Sequence, residues 1–223
     1  NRTLTSANSI NIARWLPQMF YFFFAYKQLY KQHKELVFSV PSGNFGNICA
    51  GMMAQKLGLP IQHFVASTNV NDTVPNYLKE GKYDPKPSIA TISNAMDVGN
   101  PSNFIRIQEL FENDLNQLKT AFSSVAFSDD DTRAAMKEIY ANSKYIADPH
   151  GAVGYLGLKT YGLSKDAYGV FLETAHPVKF LDVVEETLDT TLEIPSQIQA
   201  ILHKEKSSIK ISNYAGLKNF LNE

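Results

Sequence analysis

Cysteine is almost missing: Cys49 is the single one in 223 residues. No intramolecular disulfide can form, and the composition suits a reducing cytoplasm. Excess charge of either sign is missing too. Lysine and arginine number 21 against 22 aspartates and glutamates, a formal net charge of −1. That balance gives no broad basic field for nucleic acid or for an anionic membrane surface. No apolar run is long enough to span a bilayer. Met19-Phe20-Tyr21-Phe22-Phe23-Phe24-Ala25-Tyr26 is too short for that, and Arg14 and Lys27 flank it. The chain opens Asn1-Arg2-Thr3, without an initiator methionine and without a basic–apolar–small signal pattern. The expectation is a stretch from within a longer protein.

What is present reads as an ordinary globular protein. Hydrophobic residues make up 44% and charged ones 19%, enough to bury a sizeable core as one large domain or two small ones. Leu36 to Val40 is a short apolar, β-branched run of the kind buried in a parallel sheet. Pro41 ends it, having no N–H for the ladder. Ser42-Gly43-Asn44-Phe45-Gly46-Asn47 follows, then Ile48 to Leu57 with apolar residues at helical spacing, closed by Gly58. Strand, glycine-bearing turn and helix start together aim several backbone N–H groups at an anion, and the helix dipole favours the same charge. Gly43 and Gly46 would allow positive φ and close approach of backbone to a phosphate. Ser42 and Asn44 offer hydrogen bonds to the same oxygens or to the turn. Phe45 suggests a ring laid against something flat or apolar. No Gly-Lys-Ser/Thr follows, and the spacing is not Gly-x-Gly-x-x-Gly, which argues against a nucleotide site.

Along the rest of the chain, Asn8 or Ser9 caps a helix reaching about Tyr30, kinked at Pro17 unless Pro17 marks a restart, and buried on every side. Asn11 and Arg14 share its first turns and could face an anion. Cys49 reads as a buried structural thiol. Ile61 to Ala66 is a second strand, parallel to the first, and Ser67-Thr68-Asn69 falls at its carboxyl end. Asp72 or Thr73, with Pro75, starts a helix. Tyr83 to Asn103 is a long proline-bearing loop. Ser102 caps a helix whose one face carries Phe104, Ile107, Leu110, Phe111, Leu115 and Leu118. Asp129-Asp130-Asp131 after Ser128 suits a helix start rather than a metal site. Asp148-Pro149-His150 opens another helix, whose N-terminus favours a neutral His150 able to hydrogen bond a substrate. Tyr168 to Leu172 is a further strand, ending in Glu173-Thr174-Ala175-His176-Pro177, a second polar cluster at a carboxyl end. Residues 1–190 read as one large α/β domain and 191–223 as a helical extension packed on it.

The hexapeptide Ser42-Gly43-Asn44-Phe45-Gly46-Asn47 resembles the pyridoxal-phosphate phosphate loop of the threonine synthases of the longer bacterial and fungal type. Ser6 to Asn11, Ala66 to Pro75, Ser93 to Val98 and Thr174-Ala175-His176-Pro177 resemble blocks of that family in its order, so the likeness runs from about Ser6 to about Leu188. It implies fold type II, the tryptophan synthase β-like arrangement of a parallel or mixed sheet with flanking helices. It implies pyridoxal 5'-phosphate as cofactor, held by Ser42, Gly43, Asn44, Phe45, Gly46 and Asn47, with the Thr174 hydroxyl at the pyridine nitrogen. A hydroxyl there does not enforce a protonated ring, which makes a milder electron sink than a carboxylate partner would. Asn8, Ser9, Asn11 and Arg14 are the implied substrate contacts, and His150, read from its helix N-terminus, is either a further contact or a packed or capping histidine. The implied reaction turns O-phospho-L-homoserine and water into L-threonine and phosphate, in the cytoplasm, as a monomer or homodimer. The family's cofactor-bonding lysine lies upstream of the Ser6 block, so the expectation is no catalytic residue within this stretch. Two rivals stay open: another lyase or dehydratase of the same fold, and a non-catalytic module that binds a phosphorylated small molecule.

Overall fold

A computed structural model describes residues 11–32, 34–202, 204–205 and 207–222 of the chain. The apolar run at Leu36 forms β1 (Glu35–Pro41), in which every residue after Glu35 is buried. It pairs in parallel with β2 (His63–Thr68) on one side and β4 (Ala167–Phe171) on the other, and β3 (Phe122–Ala126) adds beyond β2. The strand order is β3-β2-β1-β4. Pro41 is tolerated in this central strand because it is the last ladder residue. The next N–H, that of Ser42, continues the ladder by donating to the Ser67 carbonyl at 2.8 Å.

The two-residue period of β1 sorts its side chains. Phe38 and Val40 join Phe64 and Ala66 in a core under α1 (Trp15–Leu29) and α2 (Gly46–Lys56). Phe22 of α1 reaches into it, its ring centroid 5.0 Å from that of Phe38 and 5.8 Å from that of Phe64. Ser39 and Ser67 point to the opposite face. There α7 (Pro149–Tyr161) lies close, because Gly157 has no Cβ to collide with the two hydroxyls. Ser39 Oγ donates to the Gly154 carbonyl and shares a hydrogen bond with Ser67 Oγ. A second core joins α6 (Asp129–Ser143), α7 and α8 (Leu181–Leu188) through Ala135, Met136, Ile139, Ala152, Phe180 and Val184.

Several expectations needed correction. α1 is not buried all round. Trp15, Met19 and Phe22 are buried in the core and Ala25, Tyr26 and Leu29 pack against it, while Leu16, Phe20 and Phe24 are each more than half exposed. The sheet and α2 cover one side of the helix only. Of the two readings of Pro17 the restart holds: α1 begins at Trp15 after the turn Ile12–Arg14, and Pro17 sits in its first turn, where its missing N–H has no intrahelical acceptor to lose. The first strand is longer than Leu36–Val40, and the second runs two residues later than Ile61–Ala66. The apolar face from Phe104 to Leu118 does not belong to one helix. Glu112 and Asn113 take positive φ between α4 (Phe104–Leu110) and α5 (Leu115–Ala121), and Asp114 caps the second by accepting from Asn116 and Gln117 N–H. Strand β3 then follows with no break. After β2 comes α3 (Thr73–Glu80), and the C-terminal stretch holds α9 (Ser196–Leu202) and α10 (Tyr214–Asn222). No helix among the described residues is long and apolar enough to cross a membrane.

Candidate cofactor-phosphate site

From β1 the chain passes to β2 and β3 on one side, while β4 lies on the other. The order therefore reverses between β1 and β4. Ligands of open α/β sheets bind outside the carboxyl ends of the strands at such a reversal. Two predicted clusters meet there: residues 42–47 leave β1, and Glu173-Thr174 leave β4. Leu172 N–H donates to the Ser39 carbonyl at 3.1 Å, so the two chain ends emerge side by side.

The turn is built from the inside. Ser42 Oγ donates back to the Val40 carbonyl at 2.8 Å, and Asn47 Nδ2 donates to the Pro41 carbonyl at 2.9 Å, tying the helix start to the strand end. Asn44 Oδ1 accepts from the N–H and hydroxyl of Ser102, and Asn103 Nδ2 donates to the Asn44 carbonyl. These side chains hold the loop rather than point at an anion. The positive φ expected of Gly43 or Gly46 falls instead on Phe45, at 61°. The strain is supported because its ring is buried and packs edge-on against Phe104 at 5.7 Å. Gly43 is needed for approach: a Cβ there would lie 2.5 Å from the Cα of Met96. That contact gives Ser93-Asn94-Ala95-Met96 a structural role that its sequence did not reveal.

With side chains bonded elsewhere, the backbone is what remains for a ligand. The α2 N-cap, Phe45, makes no side-chain cap. The N–H groups of Gly43, Phe45, Gly46 and Asn47 have no acceptor among the described residues. A buried helix end without partners calls for an anion or water. Phosphate fits these orphaned amides, and a dianion there gains about 0.3–1 kcal/mol from the helix dipole alone.

The long loop over this edge is fastened by a polar network. Asn69, at the end of β2, is buried and donates to Thr91, Ser93 and Asp97, while its Oδ1 accepts from Asn71. Asn71 in turn grips both the N–H and the carbonyl of Ile89.

The other predicted residues divide. Thr174 is exposed at the carboxyl end of β4. His150 is buried in the first turn of α7, its Nδ1 2.7 Å from Asp148 Oδ1. Asn11 caps the 3₁₀ turn Ile12–Arg14 by accepting from Ala13 N–H. Arg14 is exposed at the end of that turn. Asn8 and Ser9 lie outside the described residues. Lys179, the lysine just after Thr174, sits on the 3₁₀ turn Pro177–Phe180 with Nζ 5.3 Å from the Phe180 ring centroid. Burial pushes the Cys49 thiol up to about 12, as expected of a structural residue. Sequence reasoning missed Glu173 and Asp148 as a pair. Burial and the adjoining Asp148 carboxyl push Glu173 up to about 9.

A turn of unpartnered amides at the reversal of a parallel sheet defines an α/β domain of the open-sheet, ligand-at-the-crevice class. Its family follows from comparison with known proteins. The profile described as pyridoxal-phosphate dependent enzyme matches residues 18–171, and the one described as threonine synthase, C-terminal, matches residues 151–221. The chain belongs to the pyridoxal-phosphate dependent enzyme family, in its fold type II. It is 50% identical over 196 residues to the threonine synthase of Haemophilus influenzae, covering 87% of this chain and 45% of that protein. The crystal structure of threonine synthase from Escherichia coli superposes with a TM-score of 0.90 at 43% identity, over 98% of this chain and 51% of that one. A pyridoxal-phosphate-bound threonine synthase from Brucella melitensis superposes at 0.82 and 31% identity, over 92% of this chain and 49% of that one. The chain spans about half the length of the relatives it matches.

Proposed function

We propose that this chain forms the cofactor-phosphate half of a threonine synthase, a lyase that converts O-phospho-L-homoserine and water to L-threonine and phosphate. Turnover is assigned to the complete protein. The observation that supports it best is the set of orphaned amides of Gly43, Phe45, Gly46 and Asn47, beside Thr174, at the sheet reversal. Gly43, Phe45, Gly46 and Asn47 hold the cofactor phosphate through their N–H groups. Ser42, Asn44 and the Asn47 side chain keep those amides aimed. Thr174 offers its hydroxyl to the pyridine nitrogen, and His150, Asn11 and Arg14 are the substrate contacts within the described residues. Pyridoxal phosphate, when bound, supplies the electron sink for a carbanion on the amino acid. The protein's own work is to hold phosphate by backbone, so that the grip does not depend on titrating side chains. Phe45, by burying its ring on Phe104, keeps water from one wall of the turn. Residues 191–223 act as a helical extension on this unit.

The test uses the complete protein reconstituted with pyridoxal phosphate. Phosphate release from O-phospho-L-homoserine should match L-threonine formed. Asn44→Ala and Thr174→Val should each weaken cofactor binding or lower turnover by about tenfold or more, the scale of one lost hydrogen bond of about 1.5 kcal/mol. Keto acid formed from serine or threonine in place of phosphate release would instead support a dehydratase. Unchanged affinity and rate in both variants would remove the site assignment.

A further inference from the structure

Three buried polar atoms near the sheet reversal lack an ordinary partner: Asp148 Oδ2, His150 Nε2 and Glu173 Oε1. They belong to one cluster. Asp148, the N-cap of α7, is fully buried; its Oδ1 accepts from the N–H of His150 and from His150 Nδ1, at 2.8 and 2.7 Å. Glu173 leaves β4 and turns its carboxyl into the space that a Cβ on Gly151 would fill. Beside it is the Asp148 carboxyl, and burial together with that carboxyl holds Glu173 above the ordinary carboxylate range. Two carboxyls in that contact cannot both be ionised. One proton between them satisfies both orphaned oxygens.

The cluster's place follows from α7. Gly157 lies over Ser39 and Ser67, and Gly154 lies beside Pro41 and the Leu172 carbonyl. One turn further towards its N-terminus, Gly151 and His150 therefore stand at the carboxyl ends of β1 and β4. Glu173 is the residue before Thr174.

We propose that Glu173 is a positioning residue: it keeps a proton against Asp148 and, through Asp148, fixes His150 with its Nε2 as a bare acceptor for an N–H or O–H donor of the bound ligand. The ring pattern assigns the tautomer. Asp148 Oδ1 accepts from Nδ1–H, so that the ring in its neutral form presents Nε2 as an acceptor. Without the Glu173 proton, Asp148 would face a second negative charge and its hold on the ring would loosen. The inference rests on the reading that this sheet edge receives a ligand, but its first test does not.

The group that acts on Glu173 is the Asp148 carboxyl, with His150 bonded to Asp148 Oδ1. Tyr145, from the segment before α7, is itself pushed up by burial and by both carboxyls. The turn after β4 packs the Phe180 ring 4.7 Å from His150, and no cation is among the influences on Glu173. Burial comes first among the causes that raise it, with Asp148 next. Because the folded value lies above the ordinary 4.5, the native state binds a proton that the unfolded state releases between there and about 9. Glu173's stabilising contribution is therefore complete at low pH and is lost as pH rises through about 9.

The experiment is a carboxyl-carbon NMR titration of Glu173 in the full chain, with the pH dependence of thermal unfolding for wild type, E173Q and E173A. Glu173 should titrate near 9. E173Q keeps a donor to Asp148 but cannot titrate, so its stability relative to wild type should rise with pH across that range. E173A should lose the His150 Nδ1–H signal that E173Q retains. In the complete protein, kcat/KM should fall in E173A and be restored at neutral pH by E173Q, with the alkaline limb moved upward. Titration of Glu173 in the ordinary carboxylate range overturns the proposal, and that measurement on the unsubstituted chain decides even if neither variant folds. So does a stability difference between E173Q and wild type that does not change with pH. A protonated Glu173 in a protein that does not consume O-phospho-L-homoserine would sink the assigned reaction and leave the proton pair standing.

Discussion

Phe45 and Gly43 show how single residues set the loop. A left-handed aromatic would be costly on its own, yet Phe45 takes that conformation so that its ring reaches Phe104 while its N–H stays with the turn. Gly43 is constrained from outside, by Met96 backbone that cannot swing away as a flexible side chain would. Gly43→Ala should therefore destabilise the chain by about 1–3 kcal/mol, the usual cost of overpacking. Denaturant unfolding would report this as a lower midpoint with unchanged slope. A variant as stable as wild type would mean that the loop carrying Met96 gives way freely.

Among elements, the loop over the strand ends depends most on one side chain. Asn69 uses both its donor and its acceptor capacity in a buried setting. Asn69→Ala leaves the buried Asn71 N–H without its acceptor, and an orphaned buried group costs about 1–3 kcal/mol. The expected outcome is faster proteolysis within residues 83–103 and a lower unfolding temperature, read by limited digestion and calorimetry. The sequence made some elements plain and hid others for physical reasons. The run Leu36–Val40 announced itself because a strand covered on both faces must be apolar throughout. Ser128 with Asp131 was legible as a helix start, and the two do form a reciprocal capping box. Phe122-Ser123-Ser124-Val125-Ala126 was not legible, because an edge strand only partly buried has no need of an apolar code. The turn at Glu112 and Asn113 was hidden too, since neither residue is a glycine. At the site, the hexapeptide marked the cradle by its glycines, whereas the partnership of Glu173 with Asp148 joins residues far apart in sequence through the space left by Gly151.

At the scale of the whole molecule, one surface stands out. Leu16, Phe20 and Phe24 recur every fourth residue along α1, with Ile12 in line before them, and all are more than half exposed. Such a stripe exceeds the scattered apolar residues of a normal surface. The folded chain should enhance the fluorescence of a dye such as anilinonaphthalene sulfonate. Phe20→Glu with Phe24→Glu should abolish that signal and leave the unfolding temperature nearly unchanged, within the roughly 0.5 kcal/mol typical of surface changes. Loss of stability in the double variant would place those rings in the core after all.

The position of β1 has one more implication. It is laddered on both flanks, so prising the amide cradle open means parting two sets of backbone bonds together. Thr174 hangs from β4, a strand that among the described residues is bonded along one flank and is only partly buried. On the proposed reading the seat has one fixed jaw and one yielding jaw: a guest clamped at its phosphate would be able to tilt its ring without loosening its anchorage.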